Sequence, residues 1–185
     1  MAMSGFVYRL RWNDFAGRVP ASADAGTAAF VSTRFRADAP WTYDGNDGSR
    51  VYSITSVSTT VSVNRSSMWA RTGAARSPSM LVHEQGHFEI TALLARQVDT
   101  QLTALIGQTW SSEADVNQAI TDAREPLFQI INDLQSQASG DGTYDTSTNH
   151  GMHANQAAWN RAFATCRAAA SGQLVAALSA QGITI

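Results

Sequence analysis

Lysine is absent from this chain. All 13 basic residues are arginine, a compositional bias to which we attach no functional meaning. Cysteine is nearly absent as well: Cys166 stands alone, so no intrachain disulfide can form. It falls among Ala, Phe and Leu at helical spacing, where a small buried thiol is expected. No dedicated base stands beside it to make it a nucleophile. No run of 18 apolar residues occurs, so no membrane insertion is expected. The start, Met1-Ala2-Met3-Ser4-Gly5, has no basic stretch followed by an apolar one, so no signal peptide is expected in this chain. Charge is also scarce. With 15% charged residues and a net charge of −2, nucleic acid and anionic membranes are disfavoured as main partners. The 185 residues, 44% of them hydrophobic, suffice for one domain, 1–185, with a real core.

Histidine is rare too, and its distribution is informative. Two of the four histidines lie in Leu81-Val82-His83-Glu84-Gln85-Gly86-His87-Phe88-Glu89-Ile90, and the other two, His150 and His153, in one polar loop. The first stretch contains His-Glu-x-x-His, which on a helix is a zinc-hydrolase signature. Positions four apart share a helix face, so His83 and His87 present two imidazoles to one metal. Glu84 lies roughly 100° from His83 and about 60° from His87, on the same side. It would not bind the metal but would take a proton from a water on the metal's open position. By composition alone the pattern has a chance of about two in a thousand, so we treat it as a motif.

Residues 1–75 read mainly as strands and loops. Residues 6–12 are extended and aromatic, and 28–36 form a second strand candidate. Asp44-Gly45-Asn46-Asp47-Gly48 is the strongest turn. From Val57 the apolar alternation is strict, so 51–64 predicts a strand with one apolar and one hydroxyl-rich face. Residues 66–70 could add a short strand. A strand just before the metal helix could also pair with an extended peptide.

Residues 76–185 read mainly as helices. Ser77-Pro78 is an N-cap followed by proline at the first helical position, and Gly107 would end that helix after about residue 106. Leu81, Phe88, Ala92 and Ala95 mark one apolar side; Ile90, Leu94, Val98, Leu102 and Leu105 mark another. A helix apolar over this much of its girth belongs in the core. Glu89 and Arg96 are expected to pair on its surface. Ser112-Glu113-Ala114-Asp115 opens a second helix with a capping-box pattern, and Pro126 should kink it. A third helix is expected over roughly 153–180, with Trp159, Phe163, Cys166, Ala170, Leu174 and Leu178 as its core face.

The loop 142–153 carries the remaining chemistry. Tyr144 could donate to the oxyanion of a tetrahedral intermediate. Asp145 could ligate the metal or orient a ligating histidine. His153 reads as a surface or capping residue. A catalytic zinc takes three protein ligands and leaves one position open. Glu89 points some 200° around the helix from His87, and Glu125 sits beside the kink expected at Pro126. His150 is the preferred third ligand, because Gly151 permits a close turn beside a metal and neutral imidazole suits zinc. Asp145 stays open as the alternative.

These motifs bear a resemblance. The stretch 81–90, with Ala95-Arg96 after it, resembles the motif of the bacterial domain of unknown function 922 family, whose members are described as predicted secreted zinc-dependent proteases. Tyr144-Asp145-x-x-Thr148-x-His150-Gly151, with Gln156 and Trp159, resembles its second motif, and Trp12-Asn13-Asp14-Phe15-Ala16-Gly17 its N-terminal one. Glu89 departs from the pattern, where aspartate is expected. The resemblance implies a secreted or periplasmic protein and agrees with His150 as the third ligand. A weaker similarity joins Gly142-Thr143-Tyr144-Asp145 to the Gly-Thr-x-Asp motif of the aspzincin metallopeptidases, and implies Asp145 instead.

The expectation is therefore an α+β, zincin-like domain, with an N-terminal β-sheet packed against a C-terminal helical part that carries the metal helix. The expected function is a zinc metallopeptidase acting on a peptide or protein substrate, with Glu84 as general base. The alternative is an inactive peptidase relative serving as a zinc-stabilised binding module. The intact Glu84 speaks against that, since structural zinc needs no base and usually has four protein ligands.

Overall fold

Ser77 starts helix α1, Pro78–Thr103, by accepting the Met80 amide on its hydroxyl at 3.1 Å, with Pro78 in the first turn. The structure, a computed structural model, describes residues 2–135, 142–148, 153–169 and 172–185. The helix stops three residues before the expected end. Its last turn tightens, with Leu105 N on Leu102 O and Ile106 N on Thr103 O, before Gly107. Both expected apolar sides of α1 are buried except at their ends, where Leu81 and Leu105 are partly exposed. Phe88, Ala92 and Ala95 join one core cluster; Ile90, Leu93, Leu94, Val98 and Leu102 join the other.

The first cluster lies between α1 and the strands. The described strands are β1 (Ala2–Ser4), β2 (Ala29–Phe30), β3 (Thr33–Asp38), β4 (Trp41–Asp44), β5 (Val51–Ile54), β6 (Ser58–Val63) and β7 (Trp69–Ala70). They form three small sheets. In one, β6 pairs parallel with β1 and antiparallel with β3; β2 pairs with β7, and β4 with β5. The alternation predicted from Val57 holds: Val57, Thr59 and Val61 are buried, while Thr60 and Ser62 are exposed. The long strand expected over 51–64 is divided, because Thr55 N bonds the carbonyl of Pro40 and the chain leaves the β4–β5 hairpin there.

Residues 6–12 form no strand, and the reason is chemical. Leu10 is buried there, Val7, Arg9 and Arg11 are exposed, and Arg11 is extended before the turn at Trp12. Their ladder partner is a side chain. The Gln85 amide donates to Tyr8 O at 2.9 Å and accepts from Leu10 N at 2.9 Å, which is what a neighbouring strand would do. Trp12–Asp14 then makes a short 3₁₀ turn. Asp14 is buried there and takes the Tyr8 hydroxyl, the Arg11 amide and the Arg65 guanidinium, each at 2.9 Å.

The second cluster lies between α1 and the other helices, and Tyr52 and Ile54 of β5 and Val57 enter it too. Helix α2, Glu113–Gln135, starts with the Asp115 amide on the Ser112 hydroxyl at 3.1 Å and continues past Pro126. Helix α3, Thr143–Thr148, occupies what the sequence presents as loop. Helices α4, His153–Ala168, and α5, Leu174–Ser179, divide the expected third helix. Gly172, ahead of α5, lies where a Cβ would stand 2.7 Å from Cys166 O, so a side chain there would collide with the α4 backbone. Cys166 is buried and free. The described structure is thus mixed α and β with small sheets, compatible with an α+β class. None of its helices is long and apolar enough to cross a membrane.

Candidate metal centre

Helix geometry brings the two imidazoles together as the His-x-x-x-His spacing requires. The rings of His83 and His87 lie edge to face, 5.1 Å apart. Helix α3 brings Asp145 over them, with Oδ1 at 3.1 Å from His83 Nε2 and 3.1 Å from His87 Nε2. Among the described residues these three form a group able to hold a metal ion, with donor atoms all within 4.8 Å of one another. Tetrahedral bonds of about 2.0–2.2 Å separate neighbouring donors by about 3.3–3.6 Å, so the nitrogen–oxygen spacing is close to what such an ion sets. Two ring nitrogens and a carboxylate oxygen meet stably only with positive charge among them, either protons on the imidazoles or a cation.

The donors are held from behind. The Thr148 hydroxyl lies 3.0 Å from His83 Nδ1 and donates to Tyr144 O at 2.6 Å. Behind His87, its carbonyl accepts from Gln135 Nε2 at 3.1 Å and Thr91 Oγ1 at 3.3 Å, and Thr91 meets Thr33 of β3 at 2.7 Å. Three elements thus meet at one helical turn. Tyr144 is fully buried and stacks on His83 with centroids 5.0 Å apart. Gly86 makes room for it: a Cβ there would stand 1.9 Å from the Tyr144 hydroxyl oxygen. Ser147 ties α3 to α4 by accepting from Trp159 Nε1 at 2.9 Å and, through its carbonyl, from Asn155 Nδ2 at 2.7 Å.

Glu84 is buried beside the pair. Burial holds its carboxyl above the usual range, against the lowering effect of His87, His83 and the Val31 backbone amide. Its Oε2 is buried without a hydrogen-bond partner among the described residues. Burial disfavours a charged His87, but Asp145 and Glu84 outweigh that and raise its pKa. For Asp145 burial works upward, and the two imidazoles win, holding it well below the usual carboxylate range.

Of the other residues singled out in the sequence, some lie in the described structure and His150 does not. The Tyr144 hydroxyl donates to His83 O at 2.8 Å and meets Gln156 at about 3 Å, so its described partners hold the scaffold. Burial pushes its pKa up. Asp145 reaches both imidazoles, whereas His150 lies outside the described residues. His153 opens α4. Glu89 does not pair with Arg96. It meets Arg167 of α4 at 2.7 Å, while Arg96 donates to Cys166 O. Seven residues of helix rise separate Glu89 and Arg96 by about 10 Å, and α4 offers nearer partners. Sequence reasoning assigned no role to Gln85, Gly86 or Thr148. Thr148 stands four residues after Tyr144, a spacing that signals a shared face once 143–148 is known to be helical.

Comparison with protein-family models, curated proteins and solved structures finds no significant match to this chain.

Proposed function

We propose that this protein is a zinc-dependent metallopeptidase. The observation that carries the reading is the convergence of His83, His87 and Asp145 beside a buried Glu84 carboxylate, one oxygen of which has no partner among the described residues. Two imidazole nitrogens and a carboxylate oxygen suit zinc and leave a fourth position open. Asp145 takes the third protein position in this reading. Zinc when bound would act as a Lewis acid that polarises a carbonyl and acidifies water. Glu84 would take the proton of the attacking water on Oε2 and return it to the leaving amine nitrogen, as general base and then general acid. A carboxyl raised by burial is a better base for that task than an exposed one. The zincin-like architecture belongs to the same proposal, supported by strands β3 and β6 packed on α1. The likeness to the domain of unknown function 922 family rests on the motif residues and supports zinc more than proteolysis. It also points to a secreted or periplasmic setting.

One observation favours the second reading, a zinc-stabilised binding module. Tyr144, the sequence candidate for an oxyanion donor, spends its hydroxyl on His83 O and Gln156. Metal analysis with hydrolysis of an unfolded protein substrate separates the two. A metallopeptidase binds one zinc and hydrolyses the substrate, and Glu84→Gln keeps the zinc and loses hydrolysis. Zinc binding with no hydrolysis by the wild type would favour the module.

A further inference from the structure

The geometry points to Thr148 as the positioning residue that fixes which nitrogen of His83 faces the metal. This rests on the metal reading above and assigns a role to a side chain outside the donor set. Thr148 is buried on α3, and its hydroxyl has two neighbours: Tyr144 O at 2.6 Å and His83 Nδ1 at 3.0 Å. A hydroxyl has one proton to give, and a carbonyl oxygen can only accept. The proton therefore goes to Tyr144 O. The Thr148 oxygen is left as an acceptor, and His83 Nδ1 must carry a hydrogen to fill it. Asp145 Oδ1 can only accept as well, so a proton or a cation must stand between it and Nε2; with the cation there, the hydrogen on Nδ1 leaves the Nε2 lone pair for the metal. Nε2 is the atom that lies 3.1 Å from Asp145 Oδ1, on the donor side of the group. The hydroxyl thus selects the ligating tautomer and holds the ring plane, a task that metal-binding histidines elsewhere give to a carboxylate or backbone carbonyl.

One helix delivers both parts of this device. Asp145 reaches the imidazoles from the donor side, while Thr148, three residues on, holds the back of His83. Both are set by the docking of α3 on α4 through Ser147.

The test uses the full chain as wild type, Thr148→Val and Thr148→Ser. Zinc affinity is measured by chelator competition, apo stability by thermal melting, and the His83 tautomer in the zinc-loaded protein by nitrogen-15 NMR. Wild type should show His83 with hydrogen on Nδ1 and metal on Nε2. Thr148→Val should lose roughly 10–100-fold in zinc affinity. That loss should exceed any change in apo melting, and Thr148→Ser should restore the affinity. Unchanged zinc affinity in Thr148→Val overturns the assignment. So does metal on Nδ1 of His83 in the wild type, a measurement that needs no variant to fold. Equal losses in Thr148→Ser and Thr148→Val would reduce Thr148 to packing. If the wild type binds no zinc at all, the metal reading itself falls and this assignment with it.

Discussion

Single side chains at the donor group divide into those that would touch reacting atoms and those that hold them. Glu84 is the clearest of the first kind, being buried beside both imidazoles with one oxygen unpartnered among the described residues. Glu84→Gln should bind zinc as the wild type does and lose hydrolysis by at least about 10²-fold; retained hydrolysis would remove Glu84 from the mechanism. His83→Ala should lose both metal and hydrolysis, and full zinc stoichiometry in that variant would move the metal elsewhere. Between the candidate third ligands, Asp145→Ala should weaken zinc binding more than His150→Ala, as read by chelator competition; the opposite order would return the position to His150. Gly86 belongs to the second kind. A methyl group there collides with the fully buried Tyr144 ring, which has no room to retreat. Gly86→Ala should destabilise the fold by about 1–3 kcal/mol, visible as a lower melting temperature. A melting temperature equal to wild type would mean that Tyr144 can move.

At the scale of elements, α1 is organised by what each turn must hold. One turn presents the imidazoles and the next carries Glu89 to Arg167 of α4. Gln85, two residues from each histidine and on the face of Glu89, secures the segment that precedes the 3₁₀ turn. That segment depends on one carboxamide for two main-chain groups. Gln85→Ala would leave the Leu10 N–H and the Tyr8 carbonyl without partners, at about 1–3 kcal/mol for each group that stays buried. Faster hydrogen exchange at the Leu10 amide, with the centre of α1 still protected, is the expected outcome; protection unchanged at Leu10 would mean another acceptor replaces Gln85.

Across the whole molecule, α1 separates two cores. Strands and the N-terminal segment cover one side; helices, with Tyr52 and Ile54 of β5, cover the other, and the donor group joins α1 to α3 on that second side. A metal there would bridge elements 62 residues apart in sequence. Zinc should therefore raise the melting temperature, by a free energy of about 2.7 kcal/mol when free zinc stands at a hundred times its dissociation constant. Chelation should lower the protection of α3 amides before those of α1. Melting unaffected by zinc would argue that the group is held by protons alone.

The sequence by itself determined helix α1, its cap at Ser77, its two apolar sides and the pairing of His83 with His87. Each follows from local periodicity: a four-residue spacing on a helix fixes a shared face whatever surrounds it. The alternation of β6 was readable for the same reason. Tertiary structure alone decided the rest. Residues 6–12 look like a strand, but whether a strand or the Gln85 amide fills their ladder depends on a residue about 75 positions away. Residues 143–148 carry polar and β-branched side chains that read as loop, and they become helix where Ser147 and Tyr144 dock on α4. Glu89 takes Arg167 because α4 lies closer than the next two turns of its own helix. Asp145 meets both imidazoles because α3 packs over α1, a distance that no spacing in the sequence encodes.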